Sequence, residues 1–564
     1  MPRTLLAFAL LCLPLAVPAQ QIKLSGDAPV LKPCPTPVGA DVRCLQGRDH
    51  LGAWYWMAMP QAWNGTLVLH AHDGPDLGEP RPERGAEDLA RWSAWLRSGY
   101  AWAGSGYRQG GMEVLAAGDD SERVRRAFVA DFGEPKFTLL HGHGWGAAVA
   151  ARMAERFTTP DIDPRRLRAA PSAAAADAAR TPGDAMQRPQ GAAAYLGKKP
   201  YDALLLTNGQ LGGVRSLELA LDIRVVYQAV CANLPGPKEP DYPLWMGLPL
   251  QAPPGTGPLP SAGSTALAPV GTDLGQLKSE DLAARVEACT GVAKPALQRT
   301  AAQQRALTTL TQVLRLPEAA LVPQLDAATR QLADLVWRKL QGRNAIGNEG
   351  VRYRGSSDDD AFNARVPRYK PDPVARALLE ADVLPTGRLH LPVLSLHSVH
   401  DPIDFVELES QWRTTLQDAA AQDNLLQVYL DQRDHSHVGD AHLLAAASAL
   451  RQWADRGTRP AAADVAALCK PQGSSSCRIL VDYQPAPVAE RIAARPRPIP
   501  TAAQAPAVTT AASAPTPFSA TQPLAPPTAP ANPRTPLAPP PVYNPSLVSD
   551  GPVLPVNPPA SAPR

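Results

Sequence analysis

Residues 137–157 read FTLLHGHGWGAAVAARMAERF. Phe137 to His141 is a short apolar run closed by Gly142, the pattern of a buried strand. From Ala147 to Phe157 the spacing becomes that of a helix. Between the two lies Gly142-His143-Gly144-Trp145-Gly146. Glycines at both ends of these five permit a tight strand-to-helix turn, because they accept backbone conformations and close approaches that a Cβ forbids. Such a turn pushes its central residue into the open above a sheet and aims the next N–H, here that of Trp145, into the same space. In the pattern G-x-S-x-G the central residue is a serine nucleophile. Here it is Gly144, which has no side chain.

Working outward, strand and helix signals alternate. Ala53–Met59 and Thr66–His72 read as strands, Glu87–Leu96 as a helix, Ala101–Ala103 as a short strand, and Ser121–Phe132 as a helix capped by Ser121. After the central turn come a strand at Tyr201–Leu206 and a helix from about Ser216 to Ala229. Alternation of this kind argues for a mostly parallel sheet flanked by helices, an α/β fold. It stops between Cys231 and Leu384, where a Pro/Gly-rich loop precedes three helical stretches (281–292, 300–315 and 325–340). This reads as a helical cap inserted into the sheet domain, which divides the core into residues 20–230 and 385–480. Strand signals return at Leu391–Leu396 and Leu425–Leu430, with helices near Glu407–Ala420 and Ala441–Trp453. An Ala-rich stretch at 169–199 reads as a loop.

Downstream of the turn the chain supplies an acid and then a base, the order that follows G-x-S-x-G. His400-Asp401-Pro402 follows the strand LPVLSLH, which places a carboxylate at a strand end. Asp434-His435-Ser436-His437-Val438 follows LLQVYL and precedes the last helix. His435 is the expected base, because Val438 then takes the apolar position after it; His437 is the alternative.

These segments resemble the secreted bacterial α/β-hydrolases, the broad esterase, peptidase and tannase-like group. The stretches YDALLLTNGQLGG and LDIRVVYQAVCANLPGPKEPDYPLWMGLP carry the likeness further, and it spans about Cys34 to Cys469. It implies an α/β-hydrolase fold with a helical cap, Asp401 and His435 as acid and base, and an oxyanion hole from Trp145 and from the loop His72-Asp73-Gly74, with Asp73 as second donor. It implies a serine at 144, and this chain departs from it there. Acyl transfer needs a hydroxyl held against the base, so the expectation is an impaired or non-catalytic relative of ester and amide hydrolases. A ligand under the cap would be a small molecule or peptide, and Trp245 lines that space or packs the cap.

Two other readings keep activity. One gives the nucleophile to Ser105 in Gly104-Ser105-Gly106, or to a water activated by His435. The other invokes zinc. Eight of the 11 histidines fall in four pairs at expected strand ends: His70/His72, His141/His143, His397/His400 and His435/His437. With Asp401, neutral imidazoles there could hold a zinc ion that generates its own nucleophile. The competing account makes them buried hydrogen-bonders, with no cofactor.

The ends fix the compartment. Arg3, the apolar run Leu5–Val17 and the small residues Val17 and Ala19 form an export signal over residues 1–19. No later run has the roughly 18 apolar residues a transmembrane helix requires. Of 7 cysteines, Cys12 leaves with the signal and six remain. Proximity pairs them as Cys34–Cys44, Cys231–Cys289 and Cys469–Cys477, as suits a periplasmic or secreted protein. From about Pro485 the chain holds 23 of its 62 prolines and too little apolar surface for a core, so it reads as a disordered tail able to contact the envelope or a protein partner. A net charge of +2 with no basic stripe argues against nucleic acid.

Overall fold

The computed structural model describes residues 28–75, 80–158, 199–236, 278–469 and 477–488. The export signal, residues 169–198 of the Ala-rich stretch, residues 237–277 of the insertion with Trp245, and the tail beyond Val488 lie outside them. Val488 itself is buried, and its N–H donates to Ser410 Oγ at 3.1 Å, so the ordered domain runs slightly past the expected start of the tail.

The described strands form one sheet in the order β1-β2-β3-β5-β4-β6-β7-β8-β9-β10. The first three are Val30–Lys32, Val42–Arg48 and Trp54–Pro60, followed by β4 (Thr66–Ala71), β5 (Ala101–Ser105), β6 (Phe137–His143) and β7 (Ala203–Thr207). The rest are β8 (Val393–Ser398), β9 (Leu425–Leu430) and β10 (Ile479–Leu480). From β5 to β9 every pairing is parallel. The outer pairings, β1–β2, β2–β3, β3–β5 and β9–β10, are antiparallel.

Burial alternates along the central strands, one face at a time. Leu67, Leu69, Leu140, Leu204 and Leu206 belong to one apolar cluster. Val68, Leu139, Ala203 and Leu205 belong to the other. Both faces are therefore covered, as a parallel sheet requires. One cover includes α3 (Val114–Phe132), α4 (Trp145–Thr158) and α5 (Val214–Cys231). The other includes α1 (Arg84–Arg91) and α2 (Ala94–Arg97), together with α12 (Asp440–Arg456) and α13 (Ala462–Cys469). Between β7 and β8 stand α6 (Ser279–Thr290), α7 (Ala301–Leu314), α8 (Leu321–Ala333), α9 (Asp359–Arg365) and α10 (Pro373–Val383); α11 (Leu408–Asp418) follows β8. Helices α6 to α8 share the apolar cluster of α5.

Three disulfides cross-link the chain, two over short loops and one over a separation of 58 residues. Cys34–Cys44 ties the segment before β2 to that strand, Cys231–Cys289 joins the end of α5 to α6, and Cys469–Cys477 links α13 to the approach to β10. Some elements differ from the sequence expectation. Helix α3 begins at Val114, and Ser121 lies inside it, buried, with its hydroxyl donating to Ala117 O at 3.0 Å. The expected helix Glu87–Leu96 is two short helices broken at Trp92-Ser93.

Candidate active site

The parallel register brings the C-terminal ends of β4, β6, β7, β8 and β9 to one edge. Ala71 pairs with Gly142, His143 with Thr207, and Ser398 with Leu430. The residues just past these ends are Asp73, Gly144, Asn208, Asp401 and His435. They meet because the topology places their strands side by side, although in sequence they are spread from position 73 to position 435.

The turn at β6–α4 is built as its glycines demand. A Cβ on Gly142 would overlap the backbone of Gly146, and one on Gly146 would overlap the carbonyls of Ala71 and His72. Gly144 has φ +53°. Its N–H donates to Thr207 O at 3.0 Å, and its carbonyl accepts Gln210 N–H at 2.9 Å.

The space in front of Gly144 is filled. Asp73 comes from the loop after β4, and its carboxylate stands where a side chain at 144 would project. Trp145 N–H donates to Asp73 Oδ1 at 3.1 Å and Gly74 N–H to the same oxygen at 2.8 Å. Sequence reasoning made Trp145 and Asp73 the two oxyanion donors. In the structure the Trp145 N–H is present and oriented, but Asp73 is the occupant of that donor pair through its side chain. No sequence pattern tells which way an aspartate in a loop will turn.

Behind Asp73 lies His435. Its Nδ1 is 2.8 Å from Asp401 Oδ2, and its Nε2 is 3.7 Å from Asp73 Oδ2. Asp401 is fixed in turn, because its Oδ1 accepts the N–H groups of Ile403 (2.8 Å) and Asp404 (3.1 Å). Asn208, past the end of β7, donates to the carbonyls of Asp434 and His435 and accepts Ser398 N–H, so it pins the histidine loop to the sheet. The structure thus brings His435 to Asp401. His437 instead lines a surface groove with His400 and Arg478.

Charge in this cluster follows from burial and pairing. Burial would push the His435 imidazolium to lose its proton, but Asp401 and Asp73 on its two nitrogens hold its pKa well above the ordinary value. Burial would likewise raise Asp73, yet its ion pair with His435, with His143 beside it, keeps the carboxyl well below the usual range. Asp404 is the third acid nearby; burial and the neighbouring carboxylates push it up to about 7, against the opposing pull of His435. Both shifts run in the direction that favours an Asp73 carboxylate beside a His435 imidazolium.

A strand–turn–helix elbow at mid-sheet, an acid after β8 and a histidine after β9 are the parts of one known architecture, in its known chain order. The fold is that of an α/β-hydrolase. No family model and no curated protein matches the chain. Among solved structures it is similar to the rice cell wall degrading esterase LipA from Xanthomonas oryzae (11% identity, 74% of this chain and 89% of that one, TM-score 0.30). It is also similar to an esterase from Aspergillus oryzae (11%, 75% and 82%, TM-score 0.37) and to Candida antarctica lipase A (12%, 76% and 82%, TM-score 0.35). The strand order and the elbow, rather than these likenesses, decide the fold.

The other sequence candidates in this α/β-hydrolase fold have local partners. Ser105 Oγ accepts Tyr107 N–H at 3.1 Å and so closes the turn after β5. His397 is held by Glu409 (3.1 Å) and Asp404 O (2.9 Å). His70 Nδ1 meets His141 Nδ1 at 3.1 Å, and His72 Nδ1 meets Asp88 at 2.7 Å. Burial drives His70 down to about 4 and both His141 and His143 well below the ordinary value, so these three rings are neutral. Asp401, the carboxylate considered for zinc, is engaged with His435 Nδ1. Among the described residues the groups compact enough to hold an ion are Asp73, His143 and His435, and His442 with Cys469 and Cys477. The second is spent, since both cysteines are disulfide-bonded. Asp404, Asn208 and Thr207 are site residues the sequence did not single out; each sits at or just past a strand end, which is the only signal that could have marked them.

Proposed function

We propose that this is an exported α/β-hydrolase-fold protein in which serine-type acyl transfer has been lost and the site retained for binding. One observation carries the reading: the Asp73 carboxylate occupies both the space of the missing side chain and the N–H of Trp145. A substrate carbonyl would have to displace a buried anion to reach that donor. His435, ion-paired on both nitrogens, has no lone pair to take a proton from an attacking group, which is what a general base must do. The helices between β7 and β8 act as a cap: Gln324 of α8 donates to Pro402 O and Ile403 O, beside Asp401. The cavity between α5, α8 and this loop measures only about 30 Å³. It is lined by Gln210, Gln324, Ile403 and Asp404, next to the loop that holds Asp401, and not by Asp73, Gly144, Trp145 or His435. The three disulfides suit an oxidising compartment, and no described helix is long and apolar enough to cross a membrane.

The test is labelling of the purified protein with a fluorophosphonate, alongside turnover of short-chain p-nitrophenyl esters. No label and no turnover above the buffer rate are expected. Stoichiometric labelling at any serine, accompanied by ester turnover that the label abolishes, would sink the reading.

A further inference from the structure

A line of polar contacts runs from α1 to the elbow and ends on an atom with no partner. Asp88 of α1 accepts His72 Nδ1–H at 2.7 Å and lies 3.9 Å from His70 Nε2. A carboxylate can only accept, so its charge favours the His70 tautomer with the proton on Nε2. His70 Nδ1 is then the acceptor in its 3.1 Å contact, and His141 Nδ1–H the donor. His141 Nε2, now bare, accepts the Thr207 hydroxyl at 3.2 Å. Thr207 Oγ1 has spent its proton and accepts His143 Nδ1–H at 2.9 Å. What remains is the lone pair on His143 Nε2, fully buried and without a hydrogen-bond partner.

That atom faces the cluster already described. A nitrogen of His143, a nitrogen of His435 and an oxygen of Asp73 all lie within 4.8 Å of one another, and the two rings are 5.2 Å apart. The geometry points to a divalent transition-metal site formed by Asp73 Oδ2, His143 Nε2 and His435 Nε2. Two imidazoles and one carboxylate are a borderline donor set that suits Zn²⁺ or Co²⁺. Ligand distances near 2.0–2.1 Å imply donors about 3.3 Å apart around a tetrahedral ion, and His435 Nε2 and Asp73 Oδ2 already stand at 3.7 Å. Both rings are held from behind as metal-bound histidines usually are: His435 Nδ1 by Asp401, and His143 Nδ1 by Thr207. The ion would take over from the imidazolium proton as the positive charge between Asp73 and Asp401. The site also gives Gly144 a purpose, since any side chain there would displace the Asp73 ligand. The ligand set differs from the one considered from the sequence, because Asp401 stands behind a ligand and Asp73 is the carboxylate. The inference rests on the reading that no serine works at this elbow.

The experiment uses the full exported chain, stripped with a chelator and titrated with Co²⁺ and then Zn²⁺. One Co²⁺ per chain with a visible tetrahedral band, displaced by Zn²⁺, is expected. His143→Gln and Asp73→Asn should each weaken Co²⁺ binding by at least about 100-fold, and Thr207→Val, which removes the acceptor behind His143 together with the donor to His141, by about 10–100-fold. The double change His400→Ala with His437→Ala, in the surface groove, should leave binding intact. Absence of saturable one-per-chain binding would overturn the proposal, as would a folded Thr207→Val or His143→Gln protein that binds like wild type. Fluorophosphonate labelling reads the serine question separately: a labelled protein sinks the functional reading whatever the cobalt titration gives.

Discussion

The Asp73 carboxylate stands in the place that a side chain on Gly144 would need. A serine at 144 therefore meets a buried anion before it meets His435. Gly144→Ser alone should not create an esterase. Overpacking should destabilise the fold by about 1–3 kcal/mol, with about 1 kcal/mol more from a side chain at φ +53°. Gly144→Ser combined with Asp73→Ala frees both Trp145 N–H and Gly74 N–H and releases His435 from its second carboxylate. That double variant should hydrolyse p-nitrophenyl butyrate at least about 100-fold faster than either single change, a modest share of what a complete triad contributes. Equal turnover by Gly144→Ser alone would show that Asp73 moves aside freely.

Cys231 and Cys289 are 58 residues apart in sequence. Cross-linking a loop of that length removes chain entropy from the unfolded state amounting to about 4 kcal/mol. The variant with both changed to serine should unfold at clearly lower urea concentration, with tryptophan fluorescence as the probe. A midpoint equal to that of wild type would mean that packing of α6 to α8 on α5 anchors these helices without the bridge.

His70 is fully buried and is driven down to about 4, first by burial, with His72 and Arg91 adding to the effect and Asp88 and Asp73 opposing it; His141 faces it from β6. In the unfolded chain the same ring titrates near 6.5. Between those values the unfolded state binds the extra proton, so stability is full above pH 6.5 and falls as pH drops towards 4. The loss amounts to about 3 kcal/mol at most. Melting temperature measured from pH 7.5 to 4 should fall across this window, and His70→Leu should flatten the slope while lowering the whole curve. An unchanged slope in the variant would assign the acid sensitivity to other groups.

Gln324 donates to the two carbonyls that follow Asp401, and Asp401 holds the amides of Ile403 and Asp404. Gln324→Ala should cost about 1–2 kcal/mol and speed hydrogen exchange at the Ile403 and Asp404 amides before it affects the sheet. Exchange that stays as slow as in wild type would show that the loop needs no support from α8.

The central sheet and the placement of Asp401 and His435 at strand ends were legible because each rests on a local signal: an apolar run, then a turn, then a polar residue. Elements whose reasons are tertiary were not. β1 (VLK) and β2 (VRCLQGR) are too short or too polar to announce themselves, and they form by pairing outward from β3. The first turns of α3 contain Gly118, which reads as a breaker; a Cβ there would press on Met153 of α4, so packing explains the residue. Asp73 was read by its backbone, since the resemblance asks for an N–H from that loop. Its side chain fills the site because Gly144 opposite, lacking a Cβ, leaves room for it.

Helix α4 starts at Trp145, and the first group to accept from its exposed N-terminal N–H is an aspartate 72 residues earlier in the chain. Asp73 therefore serves α4 as a helix cap borrowed from another loop, with its negative charge at the positive end of the helix dipole. A side chain placed at 144 would uncap that helix. Two compensated changes, and not a single codon, separate this elbow from one with a serine in reach of His435. The glycine at 144 is therefore tied to the stability of α4 as well as to the packing of the turn.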